Sequence, residues 1–310
     1  MKVVMYHYVR PLAQSRFPKI KGRTLDEFKI QLEFFMKNFH IATPKELFDV
    51  LKANISVPEN WILLTFDDGY IDHYRYVFPL LHDYKLSGMF FPPQLVVEER
   101  DLLDVNKIHF FLSSGESPLI LYQELISELL NYNYSPEQID VLVKKHFHAS
   151  RYDSPEVMFI KNVLQKGLPQ LERKEISSKL FRKFVSIDEK AFAEELYVSL
   201  PECRLMASSG MLFGSHGRNH YWMDELTPEE QEVEIEQSLQ FLNKIHDSST
   251  SMLTNIVMCY PYGSYNDYTI EALNKYHFDM AFTTKVGNAD FSKSNRFCLN
   301  RFDTNDFPIN

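Results

Sequence analysis

Two adjacent carboxylates stand at the end of an apolar run in TFDDG, Thr65 to Gly69. If that run is a strand, its alternating side chains aim Asp67 and Asp68 at different tasks, and Gly69 lets the chain turn beside them. Two carboxylates at one strand exit repel each other unless a positive group is near, a need that a metal ion would meet. The competing reading of the segment by itself is a turn followed by a helix cap. FGSHGRNHYW shifts the balance, because it places His216 and His220 four residues apart directly after a strand-like stretch. Imidazoles at that spacing can converge on one ion. Asp68, His216 and His220 then supply three ligands and leave a position open, the coordination expected of a catalytic zinc. Asp67, kept off the metal, is placed to take a proton from water, and the set describes metal-assisted hydrolysis.

A third segment, YPYG at Tyr260 to Gly263, also follows a strand-like run. Its proline and glycine fix a turn whose backbone N–H groups can stabilise an oxyanion, although PYG by itself is only a turn signal.

These groups need a scaffold, and the chain is long enough to provide one. Its 310 residues, 45% hydrophobic and 14% aromatic, suit roughly two domains of about 150 residues or one large one. Gly and Pro number only 10 and 15, which argues against a disordered or fibrous chain. The net charge of −9 is spread without a basic block, so a mainly electrostatic grip on nucleic acid or anionic lipid is excluded. Cys203, Cys259 and Cys298 lack CxxC spacing, which suggests neither a disulfide framework nor a thiolate zinc site and fits a reducing compartment. MKVVMYHYV reads as a strand that begins at once, and no 18 apolar residues run together; the expectation is a soluble cytoplasmic protein.

Apolar β-rich runs at 3–7, 61–66, 88–91, 212–215, 255–259 and 280–283 alternate with helical stretches. That alternation predicts an α/β fold, a parallel sheet or barrel with helices outside. Thr24 with Glu27, Thr43 with Pro44, and Thr227 with Pro228 and Glu230 mark helix starts. Residues 72–84 and 266–276 read as further helices. From 101 to 206 the chain turns mainly helical, which predicts a helical subdomain inserted between a first barrel part, 1–100, and a second, 207–310.

In this order the three segments resemble the NodB-type polysaccharide deacetylases, carbohydrate esterase family 4. TFDDG matches the family's first motif, His216 and His220 its H(S/T)xxH motif, and YPYG the end of its RxPY motif. MYHYV resembles the bacterial branch with a His on the first strand. The likeness covers about residues 1 to 95 and 207 to 310. It implies a distorted (β/α) barrel of seven strands, Asp67 as general base, and Asp68, His216 and His220 as metal ligands. It also implies that Tyr262 offers its backbone amide to the tetrahedral intermediate. The metal would be divalent, zinc first, with cobalt, nickel or iron also suited to such ligands.

Three departures from the pattern stand out. Gly217 replaces the usual Ser or Thr, with Ser215 as a substitute; Cys259 stands in the place of the motif's Arg; and no LxH near the C-terminus supplies the general-acid His. His7, at the end of the first strand and on the face where barrel active sites lie, is the candidate replacement acid, against the plainer reading of a structural His. Arg301 and Asp303 of RFDT are candidates to orient acid or base. His73 is assigned to capping or packing. Tyr70, Tyr221, Trp222 and Tyr265 are either core aromatics or platforms for a sugar ring.

The expected activity is removal of acetate from an N-acetylated sugar, nucleotide- or lipid-linked, in surface-glycan synthesis, with no nucleic-acid partner. The alternatives are hydrolysis of a formamide, a cyclic amide or an O-acetyl ester, and a glycan-binding protein on a lapsed deacetylase. The helical insertion would restrict the barrel mouth or form an oligomer contact.

Overall fold

The run WILLTFD is apolar at nearly every position because, in the computed structural model, six of its seven residues are buried; a strand covered on both faces has no solvent side to leave polar. The structure describes residues 1–150, 153–246, 253–292 and 294–309. Its strands are β1 (Lys2–Tyr6), β2 (His40–Ile41), β3 (Trp61–Asp67), β4 (Met89–Phe91), β5 (Leu212–Phe213), β6 (Val257–Cys259), β7 (Met280–Phe282) and β8 (Phe302–Asp303).

Among the described residues every ladder between these strands is parallel. One sheet runs β5-β4-β3-β1-β8 with β2 against β3, and β6 pairs with β7 separately. Single parallel bridges, Ser215 to Met258 and Phe282 to Leu299, join the two sheets. Since Leu299 leads into β8, the ring closes as a distorted barrel of seven staves, with β2 alongside the start of β3. Its interior is filled by Val3, Leu63, Met89, Phe91, Val257, Phe282 and Leu299. Each fully buried side chain of this kind contributes about 1.5–3 kcal/mol. The parallel register brings the strand exits to one face, where Asp67 ends β3, His7 follows β1, His216 follows β5 and Tyr260 follows β6; Arg301, just before β8, reaches Asp67 there with its side chain.

The predicted helix starts are capping boxes at Thr24, Thr43 and Thr227, and Asn266 caps a fourth helix. The stretch 72–84 is wound differently from the expected single helix, as a π-turn, His73–Val77, followed by an α-helix, Phe78–Asp83. Pro79 has no N–H to give a continuous α-ladder, and a wider turn ahead of it accommodates the loss.

The chain divides into a barrel unit, Met1–Arg10, Gly22–Arg100 and Glu194–Asn310, and a helical unit, Pro11–Lys21 and Asp101–Ala193. The division thus falls before residue 206, and a short N-terminal segment joins the helices. Arg100 accounts for the first shift, since its guanidinium donates to the carbonyls of Glu194, Tyr197 and Val198. Phe17 accounts for the second, packing edge-on against Phe110 and Phe192 at 5.1 and 5.9 Å. Within the helical unit Ile108, Phe111, Leu125, Leu129, Phe159 and Leu180 form a separate core. None of the described helices is long and apolar enough to cross a membrane. The three cysteines are free thiols.

Candidate metal centre

Asp68, His216 and His220 are all buried, and their ligand atoms lie within 4.8 Å of one another. Asp68 follows β3 with a left-handed backbone, φ 69°. Its Oδ2 accepts a hydrogen bond from the Tyr70 hydroxyl at 2.6 Å, and Tyr70 is itself stacked on Tyr8 at 4.1 Å. Oδ1 makes no well-directed hydrogen bond, yet faces His216 Nε2 at 3.4 Å and His220 Nε2 at 3.3 Å. One carboxylate oxygen is held by protein and the other is aimed at two imidazoles.

This donor set fits a divalent transition metal. Donors about 2.1 Å from one tetrahedral ion stand about 3.4 Å apart, close to the separations from Asp68 Oδ1. His216 Nδ1 bonds the Cys259 carbonyl at 2.6 Å, which makes Nδ1 the protonated nitrogen and leaves the Nε2 lone pair for a metal. Burial disfavours every charge here, but the two imidazoles hold the Asp68 carboxyl well below the ordinary carboxylate range. A second triad, Asp67, His216 and Cys259, is equally close. It is a poorer site because burial pushes the Cys259 thiol up, so it stays protonated, and because Asp67 already has a cation.

That cation is Arg301. Its Nη1 donates to Asp67 Oδ1 at 2.9 Å, and its Nη2 lies 2.8 Å from Oδ2. Burial raises the Asp67 carboxyl, but Arg301, with His216, outweighs it and the group stays below the ordinary range. Further hydrogen bonds to the Thr283 carbonyl and the Thr65 hydroxyl fix the guanidinium between β7 and β3. Cys259, in the position where an arginine was expected, offers Asp67 only a weak thiol contact at 3.5 Å.

The loop between the two histidines is tied to the helix Pro228–Ile245. Glu234, 3% exposed, accepts from the backbone N–H groups of Arg218 and Asn219, each at 2.8 Å, and from the Asn219 side chain. Ser238, one turn on, accepts from Ser215 Oγ at 2.7 Å. Ser215 Oγ in turn accepts from the Gly217 N–H at 3.2 Å, so a hydroxyl does serve the loop despite the glycine at 217. Gln231, Glu234 and Ser238 are all buried, a polar stripe on the inner face of this helix. Sequence reasoning missed Glu234, although the i, i+3, i+7 spacing of these residues alongside buried Ile235 and Leu242 was a usable signal.

His7 is half-buried after β1, an electrostatic neighbour of Asp67, Asp68 and His220. His73 Nε2 bonds the His7 carbonyl at 2.9 Å. Burial lowers the His73 imidazole to about 4, so it packs as a neutral donor. Tyr262 has φ 57°, and its ring lies between Trp222, stacked at 4.3 Å, and His220, edge-on at 4.7 Å. Tyr70 is fully buried and so supports Asp68; it offers no face to a sugar. Tyr265 stacks on Tyr260, and Asp303 caps its own turn.

Residues 153–281 match the family model described as polysaccharide deacetylase, a range that contains His216, His220 and Tyr262 and leaves Asp67 and Asp68 outside. Over 291 residues, 93% of the chain, it is 22% identical to YxkH of Bacillus subtilis (strain 168), a protein named for the same family, and it spans 66% of that protein's length, just under two thirds. The fold is shared with solved structures, deacetylases among them. Streptococcus pyogenes deacetylase PplD in complex with acetate matches with a TM-score of 0.58 at 18% identity over 98% of this chain and 91% of that one. IcaB from Ammonifex degensii gives 0.54 at 19% over 97% and 89%, and the BpsB deacetylase domain from Bordetella bronchiseptica 0.54 at 15% over 98% and 95%. The chain therefore has the NodB-like polysaccharide deacetylase fold.

Proposed function

We propose that this protein is a metal-dependent hydrolase that removes the acetyl group from an N-acetylated sugar. The observation that carries the reading is the convergence of Asp68, His216 and His220 beside a carboxylate, Asp67, that has its own buried cation. A metal centre and a base are thereby kept distinct. The fold shared with deacetylases supports the choice of bond.

When bound, a divalent ion held by Asp68, His216 and His220 supplies Lewis-acid polarisation of an acyl oxygen and makes water easier to deprotonate. Asp67, kept ionised by Arg301, accepts the proton of the attacking water. Because the Arg301 charge also weakens its basicity, the pair gives a base that is ionised at neutral pH and weaker than an unpaired carboxylate. The backbone amide of Tyr262 donates to the oxygen on which negative charge develops as water adds to the acetyl carbon. His7 protonates the nitrogen as the C–N bond breaks, since an amine leaves poorly as its anion. The products are acetate and a free amino sugar. Trp222, stacked on Tyr262, lines the approach for a pyranose face. The finer substrate, a nucleotide- or lipid-linked intermediate of a surface glycan, is part of this proposal.

The test is acetate release from N-acetylated sugars by metal-loaded protein. Asp67→Asn is expected to abolish release with the metal retained, whereas His216→Ala is expected to lose both. Full turnover by Asp67→Asn would remove Asp67 as the base, and a purified protein that takes up no transition metal would end the reading.

A further inference from the structure

We infer that Glu234 is a positioning residue for the metal, setting the separation of His216 and His220 from the neighbouring helix. This rests on the metal site proposed above and adds a source for its affinity that no motif contains.

The argument begins with cost. A carboxylate at 3% exposure has given up its hydration, and burial raises the Glu234 carboxyl above its ordinary value; such a group persists only where hydrogen bonds replace the lost water. All of the donors around Glu234 come from one short stretch. The N–H groups of Arg218 and Asn219 both reach Oε2 at 2.8 Å, and the Asn219 amide reaches Oε1. Those residues are the middle of the loop whose ends are the two imidazoles.

The loop needs such a tie. Gly217, φ 69°, and His220, φ 60°, both have left-handed backbones, a conformation that costs a non-glycine residue about 1 kcal/mol or more. Position 217 also lacks a side chain that could brace the turn. Ser238, four residues along the same helix face, holds the Ser215 hydroxyl just before His216. The helix Pro228–Ile245 thus contacts the loop immediately before the first ligand and again between the two. A rigid helix of 18 residues presents both contacts at a fixed spacing. Second-shell ties of this sort hold ligands in place and commonly govern metal affinity by 10–100-fold.

The experiment measures Zn2+ and Co2+ dissociation constants by chelator competition, together with the visible spectrum of the cobalt form, which reads the donor geometry directly. Glu234→Ala is expected to weaken binding by about 10–100-fold and to alter the cobalt spectrum. Glu234→Gln keeps an oxygen for the two backbone N–H groups and is expected to restore both. A residue that merely supported the fold would lower the melting temperature and leave the affinity and spectrum of the folded fraction unchanged; that result for Glu234→Ala overturns the inference. Should Glu234→Ala not fold, Glu234→Asp withdraws the carboxylate by about 1.5 Å with its charge kept. Weakened binding by that variant supports the inference, and unchanged binding overturns it. If the unsubstituted protein binds no metal, the underlying site reading fails as well, which is distinguishable because His216→Ala then changes nothing.

Discussion

Arg301 and Asp67 face each other across the barrel exit with 1% and 2% of their side-chain surface exposed, joined at two points 2.9 and 2.8 Å long. The guanidinium comes from the residue just before β8, whereas Cys259 offers Asp67 only a weak thiol contact at 3.5 Å. The guanidinium is held by Thr283 and Thr65 independently of its carboxylate, so it approaches Asp67 from a fixed direction.

Removing one partner leaves the other charged and dry. Arg301→Met is expected to cost about 3–5 kcal/mol in urea unfolding, because breaking a buried pair strands the remaining ion. The double change Arg301→Met with Asp67→Asn is expected to recover much of that loss. A single-variant cost below about 1 kcal/mol, the range of an exposed pair, would contradict the burial assigned to both groups.

The same pair has a pH signature. The Asp67 carboxyl is depressed below its ordinary range despite burial, so its ionised form binds the folded state more favourably than the unfolded one. Its contribution is complete above the ordinary carboxylate pKa of about 3.9 and is lost as pH falls through the lower folded value. The stability advantage of the native chain over Asp67→Asn is therefore expected to shrink on acidification and to stay level from about pH 5 to 7. A difference that grows as pH falls would reverse the sign and refute the assignment.

Tyr70 donates to the one Asp68 oxygen that does not face the histidines. Tyr70→Phe keeps the ring stacked on Tyr8 and removes the hydroxyl that bonds Asp68 and also Tyr8. The expectation is metal affinity weaker by about 10–100-fold with the fold intact, measured by the same chelator competition. Equal affinity would show that Asp68 needs no such support.

His7 is predicted to separate chemistry from metal binding. His7→Ala is expected to lower turnover by about 10²–10⁴ with unchanged metal content, and the deficit should be smaller on an O-acetyl substrate, whose alcohol leaves more readily than an amine. Equal turnover of His7→Ala on the amide would return His7 to a structural role.

What the sequence made legible follows contact range. TFDDG, the histidine pair and YPYG were readable because strand exit, turn and ligand lie within ten residues of each other, and the capping boxes at Thr24, Thr43 and Thr227 are equally local. β2 and β8 went unread since each is two residues long and pairs an apolar with a polar residue, unlike the equally short but apolar β5. Arg301 was named only as a candidate because its partner lies 234 positions earlier. Glu234 sits in the acidic text PEEQEVEIEQ, where a solvated face is the ordinary expectation, and its spacing from Gln231 and Ser238 marks a face without showing that donors wait opposite it. Residues 11–21 group with the helices through the aromatic contacts of Phe17, a pairing that no local pattern announces.

The span between Asp67 and Arg301 also has a consequence in time. On the ribosome, at roughly 5–20 residues per second, the carboxylate waits on the order of 10 to 50 s for its guanidinium to be made. Until then β1 lacks β8 on its open side, and no ring exists to keep water from either aspartate. A nascent chain that already carries both histidines therefore holds an unfinished pocket, and of the seven staves described the last to be synthesised is the one that closes the ring.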